Sequence, residues 1–230
     1  MTPVMEKQSN EHVLTELLEF EHRSVIDVGC GEGDLVRWMT KRGAFVTGVE
    51  VSPRALAKAR AVELVGDEHY MQGIAEDLPI PDRTADIVIF FNSLHHVDPE
   101  SLPRAMREAA RVLRHGGLLY VSEPLPEGPY FELMKPAHDE TVVREAAYAV
   151  LQRGPEHGFI REREFTHVNA VPIKSYDRFR DRITSINPET RSRFDDLEEM
   201  IQANFEKLGN KSDSGWTFDQ PMRVTLLRKT

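Results

Sequence analysis

The chain of 230 residues carries 29 basic and 38 acidic side chains, which gives a formal net charge of −9 at pH 7. This acidic balance disfavours a general nucleic-acid binder, because such proteins need a basic face for the phosphate backbone. A single cysteine excludes an internal disulfide and favours a reducing compartment, so we expect a cytoplasmic protein. The longest clean apolar run covers only 87–91, and the N-terminus has no apolar signal core. We therefore expect no membrane association.

Strand-like and helix-like segments alternate through the first half of the chain. At roughly 150 residues per domain, the length predicts one domain with an insertion. Short apolar runs predict buried strands, and apolar residues at helical spacing predict the helices between them. The predicted strands are 24–28, 44–51, 69–71, 85–92 and 118–122, and the predicted helices lie near 9–18, 35–42, 53–63 and 98–113. This alternation favours a parallel, doubly wound α/β sheet.

The pattern changes after Ser122. Residues 123–136 contain four prolines and predict a loop, and the polar stretch 209–214 predicts another. Between and beyond them we expect helices at 138–152, 176–184 and 189–208 and strands at 162–172 and 216–227. The last strand is expected to return to the sheet, so we predict one domain over residues 1–230.

A glycine cluster follows the first predicted strand, in the segment Asp27-Val28-Gly29-Cys30-Gly31-Glu32-Gly33. Glycines at this place let the backbone approach a ligand, and the next helix offers free N–H groups. A tight turn without a ligand is the alternative. Cys30 is interpreted as a small residue that fits the loop rather than as a nucleophile.

Glu50 ends the second predicted strand, 19 residues beyond Gly31. A carboxylate at about this distance is the expected partner of a ribose diol, because it accepts from both hydroxyls. We expect this strand-end charge to contribute little to folding. Glu50 and the glycine cluster together predict a nucleoside-ligand site.

The spacing of the glycines helps to distinguish a dinucleotide from other nucleoside ligands. A dinucleotide fingerprint needs glycine at the sixth position, where this chain has Asp34. Asp27 would repel a pyrophosphate and suits a ligand that carries a cationic amine. These two residues count against a nicotinamide-dependent oxidoreductase, which remains an alternative.

Four segments in order resemble the class I S-adenosylmethionine-dependent methyltransferases. They are 25–33 (VIDVGCGEG), 48–52 (GVEVS), 73–82 (GIAEDLPIPD) and 85–97 (ADIVIFFNSLHHV), with 112–117 (VLRHGG) completing the fourth. The resemblance implies a doubly wound, seven-stranded Rossmann-like sheet. Most of its strands would be parallel, the last strand antiparallel, and helical insertions would follow strands five and six.

The resemblance also implies S-adenosylmethionine as the cofactor. It assigns the glycine loop and Asp27 to the methionine end, Glu50 to the ribose hydroxyls, and Val51 and the Ala75 backbone to the adenine. Where the family often has aspartate this chain has Ile74, and Glu76 is the candidate substitute. The complete set is Asp27, Gly29, Cys30, Gly31, Gly33, Glu50, Val51, Ala75, Glu76 and Asn92. Residues 1–122 would form the cofactor-binding half.

His95 and His96 are candidate general bases, because histidine titrates near neutral pH. The alternative is a structural role, since adjacent side chains point in different directions. Nine histidines are scattered along the chain without a His-Glu-x-x-His pattern, so we expect no metal site.

The acceptor is expected to be a small molecule. Asn92-Ser93-Leu94-His95 stands where nucleic-acid amino-methyltransferases of the family carry a Pro-Pro motif. Segments 123–160 and 173–212 are expected to form a lid that selects the acceptor; binding of a protein partner is the alternative role of their helices. Within the lid we predict Tyr130, Phe131, Arg144 and Tyr148 as substrate residues. A cofactor-binding protein without catalysis remains a further alternative.

Overall fold

The structure, a computed structural model, describes residues 5–230. Helices and strands alternate in the first half, and longer strands and helices follow in the second. The helices are α1 Asn10–Leu17, α2 Asp34–Thr40, α3 Pro53–Ala61, α4 Leu102–Val112, α5 Pro129–Met134, α6 Thr141–Gln152, α7 Tyr176–Thr184 and α8 Pro188–Leu208. The strands are β1 Ser24–Val28, β2 Phe45–Glu50, β3 His69–Gln72, β4 Ala85–Phe91, β5 Leu113–Pro124, β6 Phe159–Ile173, β7 Asn210–Ser212 and β8 Gly215–Lys229.

The strands form one sheet in the order β3-β2-β1-β4-β5-β8-β6, with β7 paired to β8. Neighbouring strands from β3 to β5 are parallel, and β7 pairs with β8 in an antiparallel hairpin. The predicted α/β class with a mostly parallel, doubly wound sheet is therefore confirmed. Each parallel pair needs a crossover, and α2, α3 and α4 lie in the connections between these strands.

Two of the predicted loops contain regular structure. The structure places α5 inside the proline-rich segment 123–136, because Pro129 occupies the first turn of a helix, where no N–H partner is required. It also places β7 inside 209–214, and this hairpin adds an eighth strand to the seven expected. Polar composition hid β7, since all three of its residues are exposed.

The chain divides into two compact units. We call residues 17–123, 145–165 and 224–230 the sheet unit, and residues 5–16, 124–144 and 166–223 the helical unit. The core of the sheet unit is built around β4, whose residues Ile87–Phe90 are all buried, as expected for a strand covered on both faces. One face of α4 and the C-terminal half of α6 supply further buried residues: Leu102, Ala105, Met106, Ala109, Val112, Ala147, Val150 and Leu151.

Aromatic side chains form the core of the helical unit. Phe205 lies at its centre, with ring centroids 5.0 Å from both Trp216 and Phe218 and 5.5 Å from Phe179. These separations lie in the range of favourable aromatic pairs. Ser175 and Asn187 cap α7 and α8 through side-chain oxygens that accept backbone N–H groups. Along residues 5–230, no helix combines the length and the apolar composition that crossing a bilayer requires.

Candidate functional site

A cavity of about 410 Å³ opens in the sheet unit at the carboxyl ends of the parallel strands. Residues at or after the ends of β1, β2, β3 and β4 contribute to its wall, among them 29 and 31, 50–51, 73–76, 92–93 and 96–98. Ligands of open α/β sheets bind at this edge, and the volume suits a small molecule. The cavity lies where the sequence predicted a nucleoside site.

The three glycines of the loop after β1 all have positive φ angles but meet different surroundings. A Cβ on Gly29 would stand 2.6 Å from the Cβ of Ser93, and one on Gly33 would stand 2.7 Å from the Tyr70 ring. A Cβ on Gly31 would meet nothing within 4 Å. Gly29 and Gly33 therefore permit close packing, whereas Gly31 leaves open the space that a ligand would fill.

Glu50 is buried at the end of β2 and also lines the cavity. Its Oε2 accepts the backbone N–H of Gly31 at 2.9 Å, and its Oε1 accepts that of Ser52 at 2.8 Å. The carboxylate thus joins the glycine loop to the start of α3. This corrects our expectation that Glu50 contributes little to folding, because the side chain satisfies two backbone donors.

Asp27 and Cys30 are buried and do not line the cavity. Burial raises the pKa of Asp27 to about 7, and the negative charge of Glu50 contributes to this rise. Asp27 Oδ2 has no hydrogen-bond partner among the described residues. Burial, followed by the charges of Asp27 and Glu50, raises the pKa of Cys30 to about 12. The Cys30 sulfur lies where a Cβ on Gly48 would collide with it at 2.7 Å, as expected for a packed small residue.

Two apolar side chains on the cavity wall remain exposed. Val51 is 60% exposed and Ile74 is 40% exposed, although both are large hydrophobic residues. Ala75 and Glu76 follow directly and line the same cavity. Exposed apolar side chains inside a concave site are suited to a flat ring. Ile74, which departs from the family pattern, is therefore a wall residue here.

The turn after β4 supplies the remaining wall. Asn92 has a φ of +53°, a left-handed conformation that asparagine tolerates better than most residues. Ser93 Oγ donates to the carbonyl of Val28 at 2.6 Å and so ties this turn to β1. A short 3₁₀ turn, Leu94–His96, follows. His95 is buried, whereas His96 is exposed and lines the cavity.

The cavity brings together most of the residues predicted for cofactor binding. Those that line it are Gly29, Gly31, Glu50, Val51, Ala75, Glu76 and Asn92, whereas Asp27, Cys30 and Gly33 do not. Sequence reasoning also missed Glu123, which bonds the turn after β4, and seven residues on the wall: Val28, Val49, Gly73, Phe90, Ser93, Val97 and Asp98. The small residue Ser93 was a usable signal, because a crowded glycine needs a small neighbour. Nothing in the sequence links Glu123 to a segment some 30 residues earlier.

The predicted substrate residues do not line this cavity. Tyr130 and Phe131 are buried in the helical unit, where the Arg144 guanidinium carbon lies 5.2 Å from the centre of the Phe131 ring. Arg144 also donates to the Leu125 carbonyl at 3.1 Å and to Glu140 at 2.7 Å. Tyr148 belongs to the sheet unit, and its hydroxyl donates to Glu164 at 3.1 Å.

Residues 26–121, which lie within the sheet unit, match a family described as a methyltransferase domain. The chain contains a class I methyltransferase domain. Over 163 residues it is 31% identical to the 27-O-demethylrifamycin SV methyltransferase of Amycolatopsis mediterranei, covering 67% of this chain and 58% of that protein. Over 102 residues it is 37% identical to the demethylmenaquinone methyltransferase of Chlorobaculum tepidum, covering 44% and 40%.

A solved structure extends the fold comparison of this methyltransferase domain to nearly the whole chain. It is a proposed methyltransferase from Bacillus halodurans, with a TM-score of 0.64 at 21% identity, covering 96% of this chain and 98% of that chain. Such a likeness concerns the fold alone. The chain spans about half the length of the curated relatives that it matches.

Proposed function

We propose that this chain transfers a methyl group from S-adenosylmethionine to a small-molecule acceptor. One observation carries the proposal. The Glu50 carboxylate lies on the cavity wall and accepts a hydrogen bond from the backbone N–H of Gly31, and Gly31 faces open space. A carboxylate next to a glycine backbone, where no side chain blocks the approach, suits a ribose that carries an extended, charged substituent. The match of residues 26–121 to methyltransferase domains supports the same ligand.

The residues of the cavity fit this cofactor. Glu50 would accept from the ribose hydroxyls, Val51 and Ile74 would flank the adenine, and the backbone at Gly31 would face the methionine end. Asp27 would balance the cationic amine from beneath the loop. The cofactor supplies an activated methyl group, so the protein's residues need only bind, align the acceptor and exclude water.

A small-molecule acceptor is supported by three observations. The two relatives described above are named for methylating a rifamycin and a menaquinone precursor. The net charge of −9 disfavours nucleic acid, and the turn after β4 has no Pro-Pro motif.

Acceptor selection is assigned in this proposal to the segments 123–160 and 173–212. In the helical unit, Tyr130 Oη and Arg144 Nε are buried without hydrogen-bond partners in the described chain. Buried polar atoms are normally satisfied, so a polar group of the acceptor would supply the partners that these two atoms lack. Phe131 and Tyr148 complete the proposed set.

Calorimetric titration with S-adenosylmethionine, S-adenosylhomocysteine and NAD tests the cofactor. We expect saturable binding of the first two and none of NAD. Binding of NAD alone would identify an oxidoreductase and overturn the proposal. The protein is then incubated with methyl-labelled S-adenosylmethionine and a metabolite extract, and labelled products are sought by mass spectrometry. Cofactor binding with no labelled product from any extract would identify a binding protein without catalysis.

A further inference from the structure

Glu123 is a buried carboxylate near the end of β5, within the sheet unit, and the proposed function gives it no role. Burying a charge is costly unless its oxygens find donors. Oε1 accepts the backbone N–H groups of Ser93 at 3.2 Å and Leu94 at 2.8 Å. Oε2 contacts Nδ1 of His95. Both oxygens therefore contact one segment, the turn after β4 that lines the cavity.

The contact with His95 has a consequence for the imidazole. An ionised carboxylate only accepts hydrogen bonds, so the hydrogen between Oε2 and the ring must belong to Nδ1. A neutral His95 then carries its hydrogen on Nδ1 and has none on Nε2. The tautomer of this histidine is set by the bond that its ring makes.

His95 in turn supports its neighbour. The ring centroids of His95 and His96 lie 4.0 Å apart, with the planes tilted by 51°. His95 is only 4% exposed, whereas His96 is exposed and lines the cavity. The buried ring thus packs against the ring that a bound ligand would meet.

We propose that Glu123 is a positioning residue of the methyltransferase site. It holds His95 in its Nδ1–H form and, through the contact between the two rings, fixes the ring of His96 at the cavity wall. Of the two histidines that the sequence nominates, His96 then faces the ligand and His95 supports it. Only the term "methyltransferase site" rests on the proposed function; the arrangement of the three residues does not.

Glu123→Gln is the decisive variant. Its amide oxygen still accepts from Ser93 and Leu94, but its NH₂ group donates toward Nδ1 of His95, where the carboxylate accepted. The hydrogen of His95 must therefore move to Nε2. Correlation spectra between ring nitrogens and ring protons of ¹⁵N-labelled protein at pH 8 report this tautomer directly. Glu127→Gln, which removes an exposed carboxylate four residues later, is the matched control.

We expect a protonated Nδ1 on His95 in the wild type and in Glu127→Gln, and an unprotonated Nδ1 in Glu123→Gln. The ring signals of His96 should also differ between Glu123→Gln and the wild type. An unprotonated Nδ1 in the wild type, or identical histidine spectra in wild type and Glu123→Gln, overturns the proposal. Should Glu123→Gln fail to fold, the tautomer of His95 in the wild type tests the proposal alone: a protonated Nδ1 supports it and an unprotonated Nδ1 overturns it.

Titration with S-adenosylhomocysteine separates this inference from the proposed function. Saturation should shift the ring signals of His96 in the wild type, and signals that stay unmoved at saturation overturn the assignment of His96 to the wall. In Glu123→Gln the affinity should fall roughly three- to ten-fold, as expected for one lost hydrogen-bonded contact. A wild type that binds no S-adenosylhomocysteine overturns the proposed function, while the tautomer still decides the role of Glu123.

Discussion

Gly31 and Gly116 share two properties, a positive φ and open space where a Cβ would stand, but only Gly31 lines the cavity. Alanine at either position should therefore cost a similar free energy of unfolding, roughly 1–2 kcal/mol for a left-handed backbone. Only Gly31→Ala should also weaken S-adenosylhomocysteine binding, by at least about ten-fold, because its methyl group occupies ligand space. Urea unfolding and calorimetric titration of both variants measure the two effects. Equal affinities of Gly31→Ala and Gly116→Ala for S-adenosylhomocysteine would show that the glycine loop after β1 is only a structural turn.

Glu50→Ala should affect both binding and folding. The variant loses the proposed partner of the ribose hydroxyls, so affinity for S-adenosylhomocysteine should fall roughly ten- to a hundred-fold. It also leaves the N–H groups of Gly31 and Ser52 without their acceptor, which should lower the free energy of unfolding by about 1–3 kcal/mol. Glu32→Ala removes an exposed carboxylate from the same loop and is the control. Wild-type affinity in the Glu50→Ala variant would exclude the ribose assignment.

The pKa of Asp27 predicts a pH dependence of stability. It is about 7 in the folded chain against an ordinary 3.8, so between about pH 4 and 7 the folded state holds a proton that the unfolded state has lost. The free energy of unfolding should therefore fall as pH rises through this window, and Asp27→Asn should abolish that contribution. The difference between variant and wild type, measured by urea unfolding, should grow with pH and level off above about 7. Asp67→Asn, at an exposed position, should run parallel to the wild type.

Glycine and acidic residues at strand ends have a fixed meaning in parallel sheets, and the family resemblance added Val51, Ala75, Glu76 and Asn92. The sequence was therefore sufficient to predict Gly29, Gly31 and Glu50 on the cavity wall from the residues themselves. It was not sufficient for Glu123 or Ser93. Their roles depend on contacts across 30 and 65 residues of chain, which no local pattern records. It also did not reveal that the two oxygens of Glu50 bond backbone donors.

At the scale of elements, strands buried on both faces were the most predictable. The apolar runs of β1 and β4 appear within a residue of their predicted bounds. Short elements were missed, since α5 begins at a proline and β7 has three exposed polar residues. Prolines and polar side chains are typical of loops, but they are also compatible with a helix's first turn and a hairpin's edge.

The start of α3 offers a test at this scale. Ser52 Oγ accepts the N–H of Ala55 at 3.3 Å, and Pro53 takes the first helical position, as the sequence predicted. Ser52→Ala should lower the free energy of unfolding by about 1 kcal/mol, whereas Ser52→Asp should retain the cap and most of the stability. Chemical unfolding compares the two. Equal losses in both variants would show that the cap contributes nothing.

For the whole molecule, ligand binding should stabilise one unit selectively. At about one hundred times its dissociation constant, a ligand adds about 2.7 kcal/mol to the free energy of unfolding. Amide hydrogen exchange should then slow in the cavity segments 29–33, 50–52, 73–76 and 92–98 when S-adenosylhomocysteine is added. Amides of α8 that exchange by local opening should be unchanged, because α8 belongs to the helical unit. Protection of equal size in α8 would contradict a ligand held by the sheet unit alone.

The route of the chain through the two units limits how this protein can be re-engineered by recombination. The chain passes from one unit to the other five times. Two of these passages precede the last residue of α1 and of β5, and the other three fall inside α6, β6 and β8. A library with a single crossover at any of these passages would therefore join parts of a helix or strand from unrelated sequences. Residues 17–123, by contrast, form an uninterrupted stretch that contains β1 to β4 and nearly all of β5. Donor segments are therefore best exchanged with α6, β6 and β8 kept whole, so that every junction falls in a loop around that retained stretch.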